Sequence, residues 1–365
     1  MNFKKQTLGL IAVAVTTIGI STASACTGAQ IVTEDKAAIN GRTVEFGVLI
    51  DTSAAFVPRG YKFTGMTTMG PGKTWTAKYA SVGMTIADYD VIVDGMNEKG
   101  LVCANFYFPG FAKYSVTTKE NQSISMSTTD MVQWILSMFD NVDDVKKALE
   151  NNKVAISPVL TPGFPPQVQP FHFIVYDATG KSIVFEPIDG KLKVYDNPIG
   201  VITNSPTFDW HMMNLRNYVT LGHTTPDSKK VFGVELKPLG QGAGMLGLPG
   251  DFTPPSRFVR AAAFAGSTIP AKTAEGGVMQ MFHILNSFDI PVGAARTVEE
   301  GKIFSDYTML TVVRDTKNLR FYYKTYDDQN IKMVDMKKFD FNAKKIVKLH
   351  TLTKQKFEDV SKELK

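Results

Sequence analysis

The residues best suited to chemistry lie near the start of the chain, in Ala23-Ser24-Ala25-Cys26-Thr27-Gly28. Ala23-Ser24-Ala25 is a small-residue A-x-A cleavage site that runs directly into a cysteine. Cleavage after Ala25 would make Cys26 the first residue of the mature protein, where one residue carries both a thiol and an α-amino group. A thiolate is a strong nucleophile, and an α-amine with a pKa of about 7.7–8.0 accepts protons near neutrality. Nucleophile and base then reside on one residue, and no histidine is required.

The segment before Cys26 fits this reading. Lys4 and Lys5 form a basic head, Leu8 to Ile20 an apolar run, and Ala23-Ser24-Ala25 the cleavage site. These are the parts of a secretory signal peptide over 1–25, and the apolar run is short for a membrane span. No later segment reaches transmembrane length, so the expectation is an exported product, periplasmic or secreted, with no membrane span. Loss of Lys4 and Lys5 lowers the formal charge from +5 to +3. So mild and scattered a charge gives no case for nucleic acid as a partner.

The other chemistries fare worse. The five histidines, His172, His211, His223, His283 and His350, form no HxxxH pair and there is no CxxC, so neither a metal site nor a cofactor is expected. Gly242-Ala-Gly-Met-Leu-Gly247 matches GxGxxG, but Pro249 and Gly250 follow at once and no helix begins there to hold a phosphate. A papain-like Cys/His pair would need His172 or His283, and both read as structural histidines. A Cys26–Cys103 disulfide is an alternative for an exported protein. Cys103, within Gly100-Leu-Val-Cys-Ala104, reads instead as a small hydrophobe in a buried strand. A rival of another class is lipid attachment at Cys26, but a lipobox wants Leu where Ala23 stands.

The elements that must position Cys26 follow from pattern. Gln30–Thr33 and Arg42–Phe46 read as strands around an Asn40-Gly41 turn, and residues 51–80 as a loop-rich rim or lid. Tyr89–Asp94 and Leu101–Phe108 read as strands. Ser127-Thr-Thr-Asp130 then opens a helix with a capping box, and Asp140-Asn141 opens a second. Phe171–Tyr176, Ser182–Glu186 and Lys191–Tyr195 form a meander, Val201–Pro206 a further strand and Trp210–Tyr218 a helix. Ser256–Ala265 and Thr273–Phe288 are helices, Tyr307–Arg314 and Leu319–Tyr326 strands, and 353–365 a charged tail. This order predicts an α+β fold, a four-layer αββα sandwich of two antiparallel sheets flanked by helices, over 26–352.

Six blocks recur together: Cys26-Thr-Gly28, Asn40-Gly-Arg42, Asn97-Glu-Lys-Gly-Leu101, Phe108-Pro-Gly110, Thr203-Asn-Ser-Pro206 and Pro249-Gly-Asp-Phe-Thr-Pro-Pro-Ser-Arg-Phe258. With them the chain resembles the choloylglycine hydrolase family, which holds bile salt hydrolases and penicillin V acylases. The resemblance implies an N-terminal nucleophile hydrolase, often a homotetramer, acting on a small-molecule N-acyl amide. It implies Cys26 as nucleophile, with Arg42 and Arg257 beside it. Asn204 and the Tyr107 backbone N–H would be the oxyanion donors, and Glu45 the anchor of the amine. Glu45 departs from the family's aspartate by one methylene. Tyr107 stands where bile salt hydrolases have asparagine, as in penicillin V acylases, and favours an acylase. Bile salt hydrolase or N-acyl homoserine lactone acylase activity are the alternatives within the family. An apolar acyl pocket is expected, with Phe46, Tyr61, Phe63 and Phe108 as candidate walls.

Overall fold

The computed structural model describes residues 25–86, 89–160, 168–299 and 301–364. The expected signal peptide therefore lies outside the described residues, apart from Ala25. Two large antiparallel sheets carry the fold. The first contains β1 (Cys26–Val32) and β2 (Ala38–Phe46), followed in order by Lys302–Asp315, Arg320–Thr325 and Asp328–Asp335. The second has eight strands. They run from Lys191–Asp196 through Ser182–Ile188 and Phe171–Tyr176 to β8 (Val102–Tyr107), β7 (Asp94–Asn97), β6 (Ser81–Ile86), β3 (Thr52–Val57) and Val347–His350. Between β3 and β6 the chain makes a separate hairpin of β4 (Lys62–Thr67) and β5 (Gly70–Thr76).

Helices cover the outer faces. α1 (Thr128–Met138) packs on β7 and β8, while α2 (Val142–Glu150) packs on the Ser182–Ile188 and Lys191–Asp196 strands. α1 begins where Ser127 Oγ accepts the Asp130 N–H and Asp130 returns a bond to the Ser127 N–H, closing the capping box. The short α3 (Phe208–Leu215) contacts α4 (Pro254–Ser267), and α4 lies across β1. α5 (Ala274–Asn286) lies across β2 and Lys302–Asp315. The fold is thus the αββα sandwich. Among the described residues no helix is long and apolar enough to cross a membrane.

Four local expectations need correction. Asn40-Gly41 is not a turn but the middle of β2, and the chain reverses earlier, where Lys36 takes a positive φ of 64°. Gly41 is required there by packing. A Cβ would stand 2.7 Å from Leu285 Cδ1 on α5 and 2.9 Å from the Val312 carbonyl. Residues 51–80 are not a loop but β3 and the β4–β5 hairpin. Their glycines are turn and close-approach positions rather than marks of irregular chain. Tyr89–Val93 precedes β7 rather than forming a strand. Among the described residues Val201–Pro206 makes only one two-bond bridge, in which Gly28 N–H donates to Ile202 O (2.8 Å) and Ile202 N–H to Gly28 O (3.1 Å). That bridge extends β1 on its outer edge and sets Asn204 opposite Cys26.

The Gly41 position yields a direct expectation. Gly41→Ala should destabilise the protein by about 1–3 kcal/mol through overpacking against α5, read as a lowered denaturation midpoint. An unchanged midpoint would show that the helix can shift freely.

Candidate active site

Cys26 begins β1, opposite Val44 of β2, and its side chain lies at the floor of a cleft. Two distant segments meet its backbone. The Cys26 N–H donates to Asn204 Oδ1 (2.8 Å), brought there by the Gly28–Ile202 bridge. Arg257 Nη1 donates to the Cys26 carbonyl and to Thr27 Oγ1 (2.8 Å). Arg257 Nη2 donates to Asn204 Oδ1 (2.6 Å), and its Nε to Phe252 O (2.8 Å).

The sequence around Arg257 explains its placement. Pro254 and Pro255 occupy the first helical positions of α4, where a missing N–H costs nothing. Asp251 accepts from Thr253 N–H (2.9 Å) and from Ser256 Oγ (2.6 Å), which fixes the turn entering the helix. Arg257 then projects from the first turn, fully buried, with its guanidinium fork filled by protein acceptors.

Asn204 has its amide orientation fixed from both ends. Its Oδ1 accepts from Cys26 and Arg257, so Nδ2 must face the other way, where it donates to Tyr107 O (2.8 Å). Along β8 the Phe108 N–H turns to Pro170 O (2.7 Å). Tyr107, one residue earlier, therefore directs its N–H and C=O to the opposite side, toward Asn204.

Electrostatically the floor is dominated by buried arginines. Arg42, on β2, donates from Nη1 to Asn105 O (2.6 Å) and Asp94 Oδ2 (3.2 Å), and stacks over the Phe106 ring at 4.0 Å. Arg314 pairs with the other Asp94 oxygen, so two arginines of the first sheet share one carboxylate of the second. Burial holds Arg314 well below the usual guanidinium range. Burial also lowers Arg257, to about 10, against the pull of Glu45, Cys26 and Asp306.

Glu45 is fully buried and accepts from Thr308 Oγ1 (3.0 Å). Burial raises its carboxyl from 4.5 to about 7, with Arg257 the chief opposing influence. Asp306 is raised likewise from 3.8 to about 7 by burial, again opposed by Arg257.

The cleft above this floor is apolar, with about 930 Å³ of open space including its mouth. Phe46, Tyr107 and Phe171 form an edge-to-face series with ring centroids 6.1 and 6.3 Å apart, and Leu49, Ile50, Met84, Tyr307 and Met309 complete much of the wall. Of the pocket residues expected from the sequence, Phe46 lies here. Tyr61 and Phe63 do not: their rings meet at a tilt, and Phe63 stacks on Trp75, on the β4–β5 side. Phe108 is also elsewhere, buried and stacked on His172 at 4.3 Å. Alternation explains it, because neighbours Tyr107 and Phe108 on one strand must face opposite ways.

Sequence reasoning passed over Asp94, Arg314, Thr308, Asp306 and Phe171. Only Asp94 carried a signal, three residues before the Asn97-Glu-Lys-Gly-Leu101 block. Cys103 is buried away from this floor on β8 as a thiol, its pKa driven up by burial.

Residues 26–349 match the family of linear amide C–N hydrolases, choloylglycine hydrolase family. A bile salt hydrolase/transferase of Clostridium perfringens is 38% identical over 323 residues, spanning 88% of this chain and 95% of that one. The crystal structure of a conjugated bile acid hydrolase variant from the same organism superposes with a TM-score of 0.81 at 36% identity, covering 92% of this chain and all of the other. A penicillin V acylase from Agrobacterium tumefaciens gives 0.70 at 25% identity, over 89% and 91% of the two chains. The fold and site define an amide hydrolase. The chain belongs to the choloylglycine hydrolase family.

The raised carboxyls carry an expectation for stability. A carboxyl with a higher pKa folded than unfolded contributes stability fully present below its unfolded value and lost as pH rises through the folded one. For Glu45 that window runs from about 4.5 to 7, and the loss is on the order of 3 kcal/mol. Denaturation midpoints should therefore fall as pH rises from 4.5 to 7, and Glu45→Gln should flatten the decline. A variant curve parallel to wild type would show that Glu45 does not titrate there.

Proposed function

We propose that this protein is an exported amidase in which Cys26, exposed as the mature N-terminus, cleaves a linear amide through a thioester acyl-enzyme. The observation that carries the reading is the convergence of Cys26, Asn204 and Arg257 beneath an apolar cleft. Ala25 is buried at the head of β1 and its carbonyl accepts from the Glu45 N–H (3.0 Å). With Ala25 attached, the Cys26 nitrogen is an amide and has no basicity. Removal of Ala25 turns it into an amine beside the thiol.

The α-amine takes the Sγ proton and the thiolate attacks the substrate carbonyl, forming the S–C bond and placing the charge on oxygen. Asn204 Nδ2 has a second hydrogen for that oxyanion, and the Tyr107 N–H points the same way. Each well-placed donor is worth roughly 3–4 kcal/mol. The C–N bond then breaks as the α-ammonium returns its proton to the leaving amine. Water, deprotonated by the same amine, hydrolyses the thioester and restores Cys26. Arg42 and Arg257 favour the thiolate, and Glu45 anchors the ammonium.

The substrate is a bulky hydrophobic acyl amide. The ring series Phe46, Tyr107 and Phe171 supports an aryl-bearing acyl group of the penicillin V kind. Conjugated bile salts are the second reading, favoured by the 38% identity to a bile salt hydrolase/transferase. The same proposal includes export to the periplasm or beyond and assembly as a homotetramer. An exposed hairpin, Lys229–Val231 with Val234–Leu236, whose Phe232 is wholly exposed, supports the assembly.

Intact mass of protein purified from the cell envelope should begin at unmodified Cys26. A lipid on Cys26 or a retained Ala25 would remove the α-amine and refute the mechanism. Cys26→Ser should lose nearly all turnover of penicillin V, glycocholate and a long-chain acyl homoserine lactone while remaining folded. The highest kcat/KM among these three in the wild type ranks the substrate readings.

A further inference from the structure

Two buried histidines have no role in the mechanism, and both end on the segment that carries Asn204. His211, on α3, sets Nε2 2.9 Å from the carbonyl oxygen of Asn204 itself. A carbonyl only accepts, so Nε2 carries the hydrogen. The ring lies flat on Phe258 at 4.7 Å. Burial pulls His211 down to about 4, so the ring is neutral near pH 7. His172, on the Phe171–Tyr176 strand, sets Nε2 3.0 Å from the Thr203 carbonyl and Nδ1 3.1 Å from Glu186 Oε1. Its other face stacks on Phe108.

Glu186 joins the two. The same Oε1 accepts the Phe208 N–H (3.0 Å) at the first residue of α3, the helix that carries His211. Glu186, His172 and Thr203 form one arm, and Glu186, α3, His211 and Asn204 the other. Among the described residues the Gly28–Ile202 bridge is the one ladder contact of this segment, and side chains hold its other carbonyls. Asn197 and Ser205 add single bonds to its ends, to Val201 O (3.1 Å) and Pro109 O (2.7 Å).

We propose that His172 and His211 are positioning residues that clamp the carbonyls of Thr203 and Asn204, and so hold the Asn204 amide at the oxyanion. The proposal rests on the amidase reading for its kinetic consequence, but its geometric content stands apart from it. A side-chain amide displaced by about 1 Å costs on the order of 100-fold in rate.

The test uses the mature enzyme with His211→Phe and His172→Phe, which keep a ring but lose the donor. Each should lower kcat about 10- to 100-fold with KM held within about twofold, since the loss falls on the transition state. Alkylation of Cys26 by iodoacetamide develops no oxyanion, and its rate should stay near wild type. The Gln variants, whose amide can reproduce the Nε2 donor, should recover most of kcat. Wild-type kcat in both Phe variants would overturn the proposal, as would alkylation falling in parallel with kcat. A crystal structure of His211→Phe decides the geometry without reference to turnover. Asn204 displaced from Tyr107 O and Cys26 N supports the clamp, and Asn204 unmoved refutes it. Should wild type cleave no amide, the amidase reading fails while that structure still decides the clamp.

Discussion

The site depends on one buried cation. Arg257 has no contact with solvent, and an unpaired guanidinium in that position would cost several kcal/mol. It is tolerated because its donors reach the Cys26 carbonyl, Thr27, Asn204 and Phe252 at once. Those four acceptors come from β1, the 201–206 segment and the entry to α4. Satisfying the guanidinium therefore fixes the relative positions of Cys26, Asn204 and α4. Asn204 is the hinge of the arrangement, since its oxygen is spent on Arg257 and Cys26 and its nitrogen is thereby aimed toward Tyr107.

A second buried junction ties the two sheets together. Asp94 on β7 meets Arg42 and Arg314, both from the first sheet, and leaves an excess of positive charge under the cleft. Glu45 and Asp306 offset that excess only so far as they ionise. Burial raises both to about 7, so the balance of charge around Cys26 changes near neutrality. The two carboxyls, both opposed by Arg257 and raised to similar pH, titrate as a coupled pair. The apolar walls above exclude water and strengthen every interaction within it.

The chain as a string made the chemistry legible. Cys26 after Ala23-Ser24-Ala25, together with the six blocks, pointed to Cys26, Asn204 and Arg257, which the fold brings together, and the capping signals at Ser127 and Asn141 marked two helices. The meander from Phe171 to Asp196 was legible for the same reason, since alternation and Asp-Gly or Thr-Gly turns are local. Local signals also misled. Asn40-Gly41 has the composition of a turn, but the glycine answers to α5 overhead. Tyr61, Phe63 and Phe108 have the composition of an acyl pocket, yet strand direction turns them elsewhere.

Spacing and residue type report on geometry within a few residues, and they determined that Cys26 could be nucleophile and base and that two antiparallel sheets would hold it. What faces Cys26 was decided only in three dimensions. Asn204 and Arg257 lie 178 and 231 residues away, and their approach depends on a two-bond bridge, a helix entry and a buried charge. Arg314, His172 and His211 look like ordinary core or surface residues in the string. They acquire meaning only when a buried charge or carbonyl needs a partner, because that demand arises from burial and burial belongs to the folded chain.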